Sequence, residues 1–82
     1  MSKTLIPLSD VTPGNRFRIT ALNIEGTMRR RLLDLGFVPG AVIEVLKKSP
    51  LGDPVAYYVS NTTIALRKEE SSKIVGEQIG GL

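Results

Sequence analysis

The sequence has no cysteine, no histidine and no tryptophan, and only two tyrosines and two phenylalanines among its 82 residues. Each absence removes a class of chemistry. Without cysteine there is neither a disulfide nor a thiolate nucleophile. Without cysteine and histidine together, the usual zinc and soft-metal ligand sets are gone. The lack of histidine also deprives general acid–base catalysis near neutral pH of its commonest residue. Carboxylates remain at Asp10, Glu25, Asp34, Glu44, Asp53, Glu69, Glu70 and Glu77. They are scattered, and their spacing announces no acid–base pair or metal site. A Walker-type glycine loop, a G-x-G-x-x-G run and a nucleophile elbow are absent too. The chain therefore reads as a non-enzyme, with no catalytic residue, no cofactor and no metal ligand. The shortage of aromatics leaves few platforms for stacking nucleic-acid bases. No segment approaches membrane-spanning length, and the opening Met-Ser-Lys-Thr-Leu-Ile-Pro lacks the apolar run of a signal peptide. With no cysteine, which fits a reducing compartment, the expected location is the cytoplasm.

A chain of this length is read as a single domain over residues 1–82 with a modest core. Its net charge of +3 is unevenly placed. Residues 1–48 carry eight basic and four acidic side chains, a net +4, and residues 49–82 carry three and four, a net −1. Such a bias allows a basic face toward an acidic partner, a phosphate backbone or a membrane surface, and equally an ordinary solvated face.

Thr12-Pro13-Gly14-Asn15 and Val38-Pro39-Gly40-Ala41 read as type II turns, proline fixing φ at the second position and glycine supplying positive φ at the third. Apolar residues alternate after each. Phe17, Ile19 and Ala21 share one face of a first strand, against Arg16, Arg18 and Thr20. Ile43 and Val45 share a face of a second, whose other face holds Val42, Glu44 and Leu46. Apolar on both faces, the second strand is expected to lie centrally. Residues 49–54, Ser-Pro-Leu-Gly-Asp-Pro, form a loop that presents Leu51. Residues 55–60 and 63–67 read as strands joined by Asn61-Thr62. Residues 68–72 form a single helical turn, and residues 73–79 a last strand weakened by Gly76, before a frayed Gly80-Gly81-Leu82. Near the start, Leu8 and Val11 lean on the core from a helical turn. Five short strands with one helix after the first predict a mainly β fold, a small barrel closed to protect its edges, with an open α+β sheet as the alternative.

The helix is the densest stretch: Met28-Arg-Arg-Arg-Leu-Leu-Asp-Leu-Gly36. Its three arginines are expected in the first turn, where the positive end of the helix dipole disfavours cations. Thr27 is the expected cap and Gly36 the left-handed stop. On a helical wheel Met28, Leu32 and Leu35 form the core stripe, with Arg31 at its border as a brace. Arg30 and Asp34 point furthest outward and can pair. Arg29, Arg30 and Leu33 are thus candidates for a partner surface, joined by Leu51. Tyr57 and Tyr58 alternate, one ring inward and one outward. Tyr58 is assigned outward, where it could enlarge a patch beside Leu51.

Four segments in order, Leu8-Ser-Asp-Val-Thr-Pro-Gly14, Arg29-Arg-Arg-Leu-Leu-Asp-Leu-Gly36 with Pro39-Gly40, Ser49-Pro-Leu-Gly-Asp-Pro54, and Ile64-Ala-Leu-Arg67, resemble the ferrous iron transport protein A (FeoA) family. The resemblance implies an SH3-like β-barrel and an accessory role in ferrous iron uptake. It further implies binding to an FeoB-type membrane permease, at its cytosolic GTPase domain, without a small-molecule substrate. That would hold the chain at the inner face of the membrane through its partner. Weak self-association through a strand edge or the Leu51 loop is compatible with this. The alternative is a small basic barrel that binds RNA or serves as a transcription or translation module.

Overall fold

The computed structural model describes residues 4–81. In chain order these form β1 (Ile6–Pro7), a 3-10 turn (Leu8–Asp10), β2 (Asn15–Leu22), α1 (Gly26–Asp34), β3 (Val42–Lys48), β4 (Val55–Val59), β5 (Thr62–Leu66), α2 (Lys68–Ser71) and β6 (Ile74–Gly81). The strands make one antiparallel sheet in the order β1-β6-β2-β3-β4-β5.

The two Pro-Gly turns start β2 and β3 as their chemistry requires. Gly14 and Gly40 sit at φ 92° and 91°, a region open to glycine because it has no Cβ. The Ala41 N–H donates to the Val38 carbonyl at 2.9 Å. In the first turn Asn15 Nδ2 donates to the Thr12 carbonyl at 3.0 Å and to Thr12 Oγ1 at 2.7 Å.

Alternation then delivers Phe17, Ile19, Ile43, Val45, Tyr57 and Val59 to one buried cluster, joined by Leu66 and Ile74. Leu8 and Val11 close it from the 3-10 turn, as their spacing predicts, and Leu32 enters from α1. Each fully buried side chain of this size contributes about 1.5–3 kcal/mol relative to exposure. Met28 and Leu35 are only half-buried against the cluster. Phe37, just past the helix stop, is fully buried and completes the plug.

Several details differ from the sequence reading. Among the described residues the strands number six, because Ile6–Pro7 pairs with β6. Among the described residues β1 and β5 do not pair, so the sheet is bent around its core but not closed. A two-residue β1 ending in proline, which has no N–H, is too short to bridge the gap. The β4–β5 turn is Ser60-Asn61, at φ 51° and 62°, one residue earlier than expected. Both turn positions need left-handed backbone, which a β-branched Thr62 resists, so Thr62 joins the strand. β3 is central as expected, yet Val42 on its outer face is 45% exposed; its place comes from pairing on both sides, not from burial on both faces.

The last strand does not fray at Gly80. Gly80 and Gly81 pair with Arg16 and Asn15, while Leu82 lies outside the described residues. Nor is Gly76 a weakness. It pairs with Ile6 on one side and Ile19 on the other. A Cβ there would overlap the Arg18 carbonyl oxygen and stand 2.8 Å from Phe17 Cζ. Glycine is what lets β6 press against β2. Gly76→Ala should therefore lower the unfolding free energy by about 1–3 kcal/mol, the usual cost of overpacking a tight core. Urea unfolding checks this, and an unchanged midpoint would contradict the close approach.

Candidate functional site

The arginine helix begins earlier than the sequence suggests. Gly26 is its first residue and Glu25 its N-cap, so Thr27 lies inside it and caps nothing. The arginines consequently leave the first turn, and Arg31 falls in the last turn, where the helix dipole favours a cation. Gly36, at φ 105°, follows the helix end as expected.

Each arginine has a different environment. Arg29 is half-buried, and its Nη1 donates to the Leu22 carbonyl at the end of β2, at 3.0 Å. It also lines an open groove with Asn23, Ile24, Glu25 and Lys73. Arg31 Nη1 donates to Glu70 Oε2 at 2.7 Å, which is the bracing role its wheel position predicts. Arg30 is exposed, and no ion pair joins it to Asp34 or to any other described carboxylate. Leu33 is half-buried and packs against the core cluster.

Glu70 and Asp53 are the residues that sequence reasoning missed. Glu70 is 8% exposed. One oxygen receives Arg31, and the other accepts the Arg67 N–H at 3.0 Å. This is the reaching-back half of a capping box, and a glutamate three residues into a helix was its only sequence signal. Asp53 Oδ1 accepts the Lys68 N–H at 2.8 Å. The short α2 thus ties the proline loop on one side to the arginine helix on the other.

At the tip of that loop Leu51 is 95% exposed. Tyr57 faces in and Tyr58 out, as their alternation predicts, with Tyr58 41% exposed. Tyr58 stands opposite Glu44, and its hydroxyl donates to Asn61 Oδ1 at 3.3 Å. It lies near the hairpin turn, at the end of β4 away from Leu51, so the two occupy opposite ends of the strand. Among the described residues no group of three or more carboxylates is placed to hold a metal ion.

A small pocket between the loop and α2 is lined by Asp53, Tyr57, Lys68 and Ser71. Burial pushes the Tyr57 phenol above its ordinary value of 10.0; a hydrogen bond with Ser71 works against this, and the nearby Asp53 charge adds to it.

The sequence and this geometry can be set beside known proteins. A family model for the FeoA domain matches residues 6–78. The chain belongs to the FeoA family. It is 38% identical over 72 residues to the Fe(2+) transport protein A/Fe(2+) transporter FeoB fusion protein of Porphyromonas gingivalis. The match covers 88% of this chain but only 8% of that relative's length. The solution structure of iron(II) transport protein A from Clostridium thermocellum superposes with a TM-score of 0.86 at 39% identity, over 90% of this chain and 46% of that one. The FeoA of Stenotrophomonas maltophilia, described as a procaryotic SH3 domain protein, superposes with a TM-score of 0.78 at 28% identity, over 88% and 89% of the two chains. The mainly β, SH3-like FeoA fold expected from the sequence is therefore the fold of this chain, and its family serves ferrous iron transport.

Two measurements check the energetics around α2. Glu70→Ala removes the acceptor of two donors and should cost about 2 kcal/mol in urea unfolding. Arg31→Ala leaves the largely buried Glu70 Oε2 without its donor and should cost about 1–2 kcal/mol; no loss in either variant would show that Glu70 is not the junction. The Tyr57 proton is held more tightly in the folded chain than in the unfolded one. The stability it provides is intact below pH 10 and lost as pH rises through the higher folded value. Stability should thus fall as pH is raised past 10, and Tyr57→Phe should flatten part of that fall. Parallel declines in the two proteins would refute it.

Proposed function

We propose that this FeoA chain docks on the cytosolic GTPase domain of an FeoB-type ferrous iron permease and modulates it through protein–protein contacts. The observation that carries the reading is the Porphyromonas gingivalis relative, in which an FeoA segment and an FeoB transporter share one polypeptide. Covalent linkage keeps two domains at high effective concentration, an arrangement that favours partners which must meet repeatedly. Docking there keeps the chain in the cytoplasm, at the inner face of the membrane through its partner.

The surfaces proposed for docking are Arg29, Arg30, Leu33, Leu51 and Tyr58, and their environments rank them. Leu51 is the most exposed large apolar side chain described, and Arg30 has no described ion-pair partner. Both can commit to a partner without giving up an internal contact. Arg29 would have to release or share the Leu22 carbonyl, and Leu33 offers only the half of its surface that the core leaves uncovered.

Charge placement favours a protein partner over RNA. Arg18 pairs with Glu77 at 3.1 Å, Arg31 pairs with Glu70, and Arg16 stands opposite Glu44. Two of the cations in the first half of the chain are thereby paired with carboxylates, and the other described ones are divided among β2, α1 and β3, where a nucleic-acid surface calls for a basic stripe.

Titration of isotope-labelled protein with the isolated GTPase domain tests the reading. Amide shifts are expected in residues 49–54 and along the exposed side of α1. Leu51→Ser should weaken binding about tenfold, as the loss of an apolar anchor does, with unfolding unchanged because Leu51 buries nothing. An absence of shifts at high concentration would eliminate docking on that domain, and shifts confined to β6 would eliminate the proposed surface.

A further inference from the structure

On one side the sheet ends at β5, whose outer edge pairs with no other described strand. The backbone groups that face outward there follow from the hairpin. Ser60 and Asn61 are both left-handed and make a two-residue turn, so Val59 and Thr62 are the hydrogen-bonded pair that closes it. Hydrogen-bonded and non-hydrogen-bonded pairs alternate along an antiparallel ladder. With the register Val59↔Thr62, Tyr58↔Thr63, Tyr57↔Ile64, Ala56↔Ala65 and Val55↔Leu66, Thr62, Ile64 and Leu66 bond toward β4. Thr63 and Ala65 therefore turn their N–H and C=O groups to the free edge. Arg67, next in that series, has its own groups occupied: its N–H goes to Glu70, and its carbonyl accepts the Glu70 and Ser71 N–H groups.

This edge carries none of the usual safeguards. Thr62–Leu66 has no charge, no proline and no irregularity in its pairing, whereas short length, lysines, prolines and bulges are what normally block strand-to-strand association. The opposite edge, β1, is two residues long and ends in proline.

We propose that β5 is a self-pairing edge, on which two copies of this chain join antiparallel about a two-fold axis through Ile64. In this register Thr63 of each copy faces Ala65 of the other, so the four outward donors and four outward acceptors combine into four backbone hydrogen bonds. Ile64 meets its own copy in the close, non-hydrogen-bonded spacing of about 4.5 Å between Cα atoms. Ile64 is half-buried, packed on the core from one side, and the partner's Ile64 covers the flank that remains. One step further out, Arg67 faces Asn61, so no like charges oppose each other. An odd, uncharged stretch with its outward groups placed symmetrically about one apolar residue favours a second copy over an unrelated strand. The contact is smaller than a standard stable interface, so the dimer is weak and fills at high concentration.

The chain has no cysteine, which makes disulfide trapping a direct test. Ile64→Cys places the thiols on the axis, within the Cα separation that a disulfide spans. Oxidation at high protein concentration should convert most of it to a cross-linked dimer. Thr62→Cys, whose two copies would lie about 13 Å apart in this register, and Leu51→Cys, outside the edge, should remain largely monomeric. Equal cross-linking of all three would overturn the proposal, as would a failure of Ile64→Cys to cross-link. Sedimentation of the unmodified chain supplies the second arm. Its concentration-dependent dimer should weaken about thirtyfold in Ala65→Pro, which removes one outward N–H per copy and none of the bonds to β4. A sedimentation profile that does not change with concentration, or that Ala65→Pro leaves unaltered, would also overturn it.

Discussion

The Glu70 carboxylate is the contact on which the arrangement of the helices depends. A carboxylate buried to this degree is costly unless its oxygens are satisfied, and here both are, by Arg31 and by the Arg67 N–H. Because those donors come from α1 and from the residue just after β5, a single side chain links the arginine helix to the start of α2, in addition to the anchoring of α1 by Leu32 and Arg29. Asp53, on the Lys68 N–H, brings the proline loop to the same short helix. The pose of Leu51 and the pose of Arg30 are thus set by neighbouring bonds within α2.

The sheet has its own controlling constraint, the close approach of β6 to β2 at Gly76. Register shifts in β2–β6 and in β3–β4 mark places where an antiparallel ladder bends and twists more strongly. Bending lets one small sheet surround a cluster that holds thirteen of the described apolar residues, where a flat sheet of this size would leave one face of its core wet. Closure into a complete barrel is not needed for that. Its omission is what leaves β5 with an available edge, while β1 is guarded by its shortness and its proline.

Most of the local structure was legible because its causes are local. Pro-Gly pairs dictate their turns, period-two alternation grouped Phe17 with Ile19 and Ile43 with Val45 on buried faces, and the wheel position of Arg31 distinguished it from Arg30. Past the register shift after Ile19, however, it is Leu22 and not Ala21 that is buried. What was not legible depends on residues far apart in sequence. Glu70 lies 39 positions from Arg31, and nothing in a polar Lys-Glu-Glu-Ser segment says which carboxylate turns inward. The start of α1 at Gly26 was hidden because glycine is a poor helix residue, and its place is set by the chain leaving β2. The importance of Gly76 was inverted for a similar reason. Glycine lowers strand propensity when judged alone, while here the missing Cβ is what the neighbouring strand requires.

The three consecutive arginines show how tertiary contacts divide a patch that looks uniform in sequence. Arg29 supports the end of β2 through a carbonyl, Arg31 ties α1 to α2 through a carboxylate, and Arg30 alone has no acceptor among the described residues. Arginine suits the two internal tasks because its planar fork is pre-organised and loses less freedom per hydrogen bond than a lysine ammonium does. The same division limits the attraction of this helix for polyanions, since two of its three cations are already engaged with acceptors of the chain itself. A surface with one free guanidinium and a separate, nearly bare leucine is chemically suited to a partner that offers an acidic group and an apolar pocket at a fixed distance. Folded protein domains present such pairs of features, whereas a nucleic-acid backbone offers repeated charge without the pocket. The protein–protein reading therefore rests on a free guanidinium and an exposed apolar side chain lying on separate elements, rather than on the amount of basic charge.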